Sequence, residues 1–402
     1  MQIDIFYVKL LIQYGQRLLE KDRNHIEQVV SDLSGIQYDP NPILHLNHYL
    51  VLWSRIPGFK VIDYDRLAYQ ESKLVEANFF KRNLFVVPSS EIEMYNAATK
   101  RIVRWGKSRE QTEYELNSMP EKAEVERIRQ AFKEIHAGTL NELWEHLGVT
   151  EEWNTYRKNR KQGQLSDYSP VFRTFFSMRM TNQIIISNRL PGTFRQPVFS
   201  LREDIQTNTD KLYEICGKEA IEFILFKLMC SFGITDAVHM KAITGFEKEE
   251  ITTALSSLLM KEQIVEIKVE GMKKTYVAAK KQIDYLERRK LGGKNEVTLL
   301  SPMEGIIRDK RWLNTFFGYT FRFEYFKKKG MKWPLSVLSN NELAGFVDCG
   351  MDRKRKRMQV KEINLQKEQM VDMDLLFDSL CSLARLHDAE ELFIAGEKYI
   401  KY

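Results

Sequence analysis

Cysteine is scarce in this chain. The four present (Cys216, Cys230, Cys349, Cys381) lie far apart, form no Cys-x-x-Cys pair and have no histidine cluster beside them at metal-ligand spacing. A disulfide framework or a structural zinc is therefore not what organises the fold, and buried, reduced thiols are expected, with no metal and no organic cofactor. Long apolar runs are also missing: no stretch of 18 apolar residues exists, and Asp4 and Lys9 interrupt the apolar N-terminus. That pattern fits neither a membrane span nor a secretory signal, so a cytoplasmic protein without a membrane partner is expected. The third shortage is charge of one sign. Sixty-one basic residues face 55 acidic ones, for a net charge of +6, so any nucleic-acid footprint must be local.

What is present is enough chain for two to four domains, with 43% hydrophobic and 29% charged residues, ordinary globular values. Residues 4–20 and 24–34 carry apolar positions at helical spacing, and Gly35 sits where a helix end favours glycine. A short strand follows, and helix, helix, strand is a winged-helix opening for a first unit, 1–120. A second, 121–204, starts with EVERIRQAFKEIHAG. Thr139 caps its next helix with Glu142 three residues on, and two strands around a Pro-Gly turn form its wing. The third, 205–292, shows helix, helix, helix, hairpin most legibly, with the turn at Glu270-Gly271. From 293 to 402 the pattern becomes short strands ending in one helix from about Met373. The predicted class is α+β: three tandem winged-helix units followed by a small β-rich domain closed by a helix.

Basic residues mark candidate phosphate contacts. Arg173 and Arg179 lie on the helix of the second unit and Arg189 and Arg195 on its wing. Lys327 and Lys328 in KKKGMK, and Arg353 and Arg355 in DRKRKR, lie in loops of the C-terminal domain. One continuous positive surface is expected if they bind DNA; the alternative is a solvated face. The third unit is different. Its last helix opens with Glu247, Lys248, Glu249 and Glu250, and carboxylates there would repel a duplex.

The stretch with most chemical content is Gln37-Tyr38-Asp39, between two helical patterns. In an extended segment the period of two puts Gln37 and Asp39 on one face and Tyr38 on the other. Pro40 and Pro42 keep a helix from starting before that point. From spacing alone, the favoured reading of Asp39 is the N-cap of a proline-started helix.

The surrounding run resembles the YcaQ family of winged-helix DNA glycosylases, the crosslink-repair type. The shared signature is Gln37, Tyr38 and Asp39, then His48, Leu50, Leu52, Trp53, Ser54 and Arg55 at matching spacing, and the resemblance continues in LLSPMEGIIRDKRWLNTFFGYTFRFEYF (299–326). It implies a monofunctional glycosylase that hydrolyses the N-glycosidic bond of N7-alkylated purines, interstrand crosslinks included. Its partner would be damaged duplex DNA, and the working form a monomer. Asp39 would stabilise the oxocarbenium-like sugar and act as base, while Gln37 would orient the water. His48 and Arg55 are candidate DNA contacts. His48 reads first as a packed helix residue, Trp53 reads as core, and Arg55 could instead cap its helix C-terminus. Three departures from the family pattern stand out: Leu46 replaces a basic residue, Tyr49 a second histidine, and residues 77–88 lack Trp-Ala-His. They leave two other readings open, a non-catalytic DNA-binding protein or regulator and a protein-interaction scaffold.

Overall fold

The computed structural model describes all residues except 40–42, 81–82, 100–109, 112–119, 160–168, 191–194, 205–216, 290–295, 321–332, 395–396 and 402. Helices and sheets are mixed, and the chain gathers into two compact units. One comprises Met1–Asp63, Phe226–Asp236 and Ser256–Tyr402; the other comprises Tyr64–Leu225 and Ala237–Leu255. These units cut across the four-part division drawn from sequence pattern. No described helix is long and apolar enough to cross a membrane.

In the first unit, Asp4 caps the helix Ile5–Gly15 by accepting from the Tyr7 amide at 2.7 Å. This helix is shorter than the expected 4–20 and stops where it meets another chain segment. A Cβ on Gly15 would collide with the carbonyl oxygen of Cys230, and one on Gly233, at φ +71°, with that of Leu11. Glycine at both positions lets the two backbones touch. The second helix, Ile26–Asp32, ends as predicted: Gly35 adopts φ +86° and its amide returns to the Val30 carbonyl at 2.9 Å. The extreme N-terminus does something the sequence pattern did not suggest. Gln2–Ile3 pairs in parallel with Ile264–Val269, which pairs antiparallel with Thr275–Ala279 around Gly271.

The C-terminal region forms a six-stranded sheet in the spatial order Val297–Leu300, Pro334–Ser339, Glu342–Asp352, Arg357–Leu365, Glu391–Ile394, Glu397–Lys401. Only the pairing of Arg357–Leu365 with Glu391–Ile394 is parallel. A parallel pair needs a crossover, and the helix Met373–Leu386, capped by Asp372, supplies it. Its buried face, Leu376, Leu380, Leu383 and Ala384, packs with Leu299, Leu335, Val337, Val347 and Val360 of the sheet. Leu44 and Leu50 are buried in this same core, with Trp53 at its margin. The signature stretch is thus anchored to a sheet some 250 residues further along the chain. Of the 299–326 run that carries the family resemblance, residues 321–326 fall outside the described residues.

In the second unit, five strands run in the order Leu84–Pro88, Leu74–Asn78, Ile184–Arg189, Pro197–Leu201, Ala137–Thr139, all antiparallel. Helices Lys122–Ile135, Leu140–His146 and Pro170–Met180 cover it through Phe132, Trp144, Phe172 and Phe175. The Thr139 capping box forms as predicted: the hydroxyl accepts from the Glu142 amide at 3.3 Å, and the Glu142 carboxylate accepts from the Thr139 amide at 2.6 Å. Pro170 occupies the first turn of its helix, where a missing N–H is harmless. Thr150–Asn159 is a further helix. Phe79 and Phe80, within the segment that departs from the family pattern, are buried and in ring contact with each other and with Phe85; Phe79 also meets Tyr95. That segment fills a core here.

Candidate active site

Tyr38 and Asp39 follow directly on the strand Ile36–Gln37, and burial alternates from Ile36 to Asp39. Ile36 and Tyr38 are buried, whereas Gln37 and Asp39 are half-buried. The two polar side chains therefore share the accessible face, as the period of two requires. The next described helix begins at Asn47, with Leu46 at its N-cap. Asp39 does not cap that helix, and the proline-started turn that it could cap falls on residues 40–42, outside the described residues.

A chain of polar contacts holds this segment. The Gln37 carbonyl accepts from Asn47 Nδ2 at 2.8 Å, and Asn47 Oδ1 accepts from Ser301 Oγ at 2.7 Å. The Ser301 amide donates to Glu304 Oε1 at 3.0 Å, and Glu304 Oε2 takes Arg55 Nη2 at 2.7 Å. Arg55 is fully buried. Its remaining donors go to the Gln16 carbonyl at 2.8 Å, the Val51 carbonyl at 3.1 Å and Ser54 Oγ at 2.8 Å. Five donors in a fixed fork suit this convergence. Arg55 is thus neither a DNA contact nor a simple helix cap. It is the buried centre that ties the signature helix to the Leu-Leu-Ser-Pro segment.

His48 is corrected in the same way. Its ring is fully buried, stacks on Tyr38 at 4.9 Å and tilts against Tyr49 at 4.2 Å. It supports the inner face of the Gln37–Asp39 segment, out of reach of a phosphate. Leu46 and Tyr49, two of the departures, are buried beside it. Trp53 is partly buried and donates to Ser382 Oγ at 3.1 Å, consistent with a core role.

One residue reaches the site that sequence reasoning did not single out. Arg308, at the end of the short helix Gly305–Arg308, donates from Nη1 to Gln37 Oε1. Although the side chain is largely accessible, desolvation pushes its guanidinium below the usual arginine range, and Asp39 opposes that shift electrostatically. The accessible face therefore carries an amide, a carboxylate and a guanidinium. Glu304 had a readable signal, the Ser-x-x-Glu spacing from Ser301; Asn47 and Arg308 had none.

The expected phosphate contacts divide sharply. Arg189 is buried and makes a forked pair with Glu76, with contacts at 2.7, 2.8 and 3.1 Å. Arg195 pairs with both oxygens of Asp65 at 2.7 and 2.8 Å and lies over Tyr69. Burial lowers Arg179 to about 10, with Glu76 raising it and Arg189 lowering it, and its guanidinium sits 5.2 Å from the Phe199 ring centroid. Arg173 pairs with Glu121 at 2.9 Å. The arginines of the second unit thus mainly hold that unit together, and Arg189 in particular cannot be a surface contact. In the C-terminal loop, Arg353 donates to the Leu44 carbonyl at 2.6 Å, while Arg355 is 71% exposed with Asp352 3.9 Å away. Lys327 and Lys328 lie outside the described residues. The acidic start of the helix Lys248–Met260 also has a local explanation: Glu250 accepts from the Glu247 amide at 2.9 Å and caps the helix. Among the described residues no group of three metal-ligating side chains converges.

Comparison with known proteins agrees with the family resemblance. The DNA glycosylase AlkZ-like family model matches residues 30–385. The solved structure of Streptomyces sahachiroi DNA glycosylase AlkZ is similar with a TM-score of 0.65, covering 98% of this chain and 99% of that one, at 12% sequence identity. Identity this low speaks for the fold alone. A search of curated protein sequences returned no match. The matched span takes in Gln37, Asp39, the signature helix and the Ser301–Arg308 segment, and on it the chain belongs to the AlkZ-like family of DNA glycosylases.

Proposed function

We propose that this protein is a monofunctional DNA glycosylase acting on N7-alkylated purines in duplex DNA, including purines joined in interstrand crosslinks. The observation that carries the reading is the pairing of Gln37 and Asp39 on one accessible segment whose inner face is locked by Tyr38 and His48. A rigidly held pair suits catalysis because near-attack geometry supplies a large part of the rate.

The step needs only these two groups. A water whose oxygen accepts from the Gln37 amide gives its proton to the Asp39 carboxylate as it bonds to the anomeric carbon. The bond from that carbon to the base breaks, and its electron pair leaves with the purine. An N7-alkylated purine is already cationic and departs neutral, so no strong acid is required. The Asp39 charge offsets the positive sugar in the transition state. No lysine nucleophile takes part, so no strand nicking accompanies release. Because the pair lies on an accessible face, a purine tethered to the opposite strand can meet it without rotating into a deep pocket.

Within this reading the tandem winged-helix plan is retained for 1–120, 121–204 and 205–292. It is supported by the helix and hairpin order of the second and third stretches. The partner is double-stranded DNA, bound by a monomer. The test is incubation of N7-methylguanine and N7-crosslinked duplexes with the protein, scored for abasic sites. Release with intact strands is expected from both. Salt-sensitive duplex binding with no release from either would replace this reading with a non-catalytic DNA-binding role.

A further inference from the structure

We propose that Arg308 is a positioning residue that fixes the orientation of the Gln37 amide, so that Nε2 rather than Oε1 is the end presented to the reacting water. This rests on the glycosylase reading above. The chemistry of the donor decides the orientation: arginine has five N–H donors and no acceptor, so only the amide oxygen can face it. The usual ambiguity between the oxygen and nitrogen of a glutamine side chain is thereby removed. Nη1 of Arg308 donates to Gln37 Oε1, and the Gln37 carbonyl is separately held by Asn47. Among the described residues Nε2 donates to no protein group, and the half-buried side chain leaves it accessible.

Two consequences follow for the mechanism. With Oε1 engaged by a cation, Gln37 is a poor proton acceptor and a good donor to a water oxygen, so the role of base falls to Asp39. The guanidinium also balances the Asp39 charge at the site. Arg308 extends from a helix placed by the Arg55–Glu304 pair, so the buried network sets where the amide points.

The first arm of the test does not depend on catalysis. Thermal unfolding of the full chain is measured for Gln37→Glu, Arg308→Met and the double variant. Gln37→Glu keeps an acceptor facing Arg308 and turns the contact into an ion pair, so it should hold or raise Tm. In the Arg308→Met background the same change places two carboxylates together and should lower Tm, giving a non-additivity of about 2 °C or more. Additive shifts would overturn the contact.

The second arm is single-turnover release of N7-methylguanine at saturating protein. Arg308→Met should slow release about 10-fold, with affinity for undamaged duplex within about 3-fold of wild type, and Arg308→Lys should recover most of the loss. Gln37→Glu should be as slow as Gln37→Ala, because it keeps the acceptor and loses the Nε2 donors. A wild-type rate in Gln37→Glu or in Arg308→Met overturns the proposal while leaving the glycosylase reading intact. If wild-type protein releases no base, the glycosylase reading and the catalytic role of Arg308 fall together, and the first arm alone decides the contact.

Discussion

The segment from Ile36 to Arg55 and the segment from Arg173 to Arg195 were both expected to meet DNA, and the structure uses their polar groups in opposite ways. In the first, the arginine of the signature, Arg55, is buried to hold a frame, and the groups left half-buried at the surface are Gln37 and Asp39. In the second, the arginines close ion pairs within their own unit: Arg189 with Glu76, Arg195 with Asp65, Arg173 with Glu121. The lesson concerns arginine itself. Its planar fork satisfies a buried carboxylate so well that a run of arginines in a sequence is no measure of a phosphate-binding surface.

The comparison is broken most strongly at the two buried pairs. Glu304→Ala strands Arg55, and Glu76→Ala strands Arg189, each as a buried charge without its partner. Both should lose about 3–5 kcal/mol of stability, read as a large fall in Tm or in the denaturant midpoint. A loss below 1 kcal/mol in either would mean that water already reaches the pair.

A smaller effect sharpens the same contrast through pH. His387 packs against His45 at 4.9 Å, and burial, then His45 and Arg353, push its pKa well below the ordinary histidine value. The folded state therefore resists the proton that the unfolded state accepts. The stability this provides is complete above about pH 6.5 and is lost as pH falls from there toward the lower folded value. His387→Phe should flatten that acidic decline in Tm, and an unchanged slope between pH 7 and 5 would remove His387 from it.

The smallest stability effect is expected at the exposed loop. Arg355→Ala should leave stability within about 0.5 kcal/mol of wild type, since its side chain is 71% exposed. If it contacts a phosphate, the log–log salt slope of duplex binding should fall by about one. Arg195→Ala should do the reverse, costing roughly 1 kcal/mol through its forked pair with the salt slope unchanged. Equal salt effects from the two would erase the division drawn here.

Much of this was legible in the sequence wherever the cause was local. The alternation at Gln37, Tyr38 and Asp39 follows from strand period and the two prolines, the Thr139 box from a three-residue spacing, and the end at Gly35 from a left-handed position only glycine takes easily. What was not legible was set by distance along the chain. Arg55 meets Glu304 and Gln37 meets Arg308 across 249 and 271 residues, and no local rule assigns such partners. The same blindness explains the arginines: Glu76 lies 113 residues from Arg189, so the wing arginine looked free. The N-terminal strand was missed because two residues carry no period.

The central claim is that Asp39 carries the chemistry on a frame that holds it without depending on it. The direct measurement is single-turnover release of an N7-alkylated guanine by wild type and Asp39→Asn at saturating protein, with duplex affinity measured on the same samples. Release should fall by about 100-fold or more with affinity nearly unchanged. Equal rates of release by the two proteins would contradict the account.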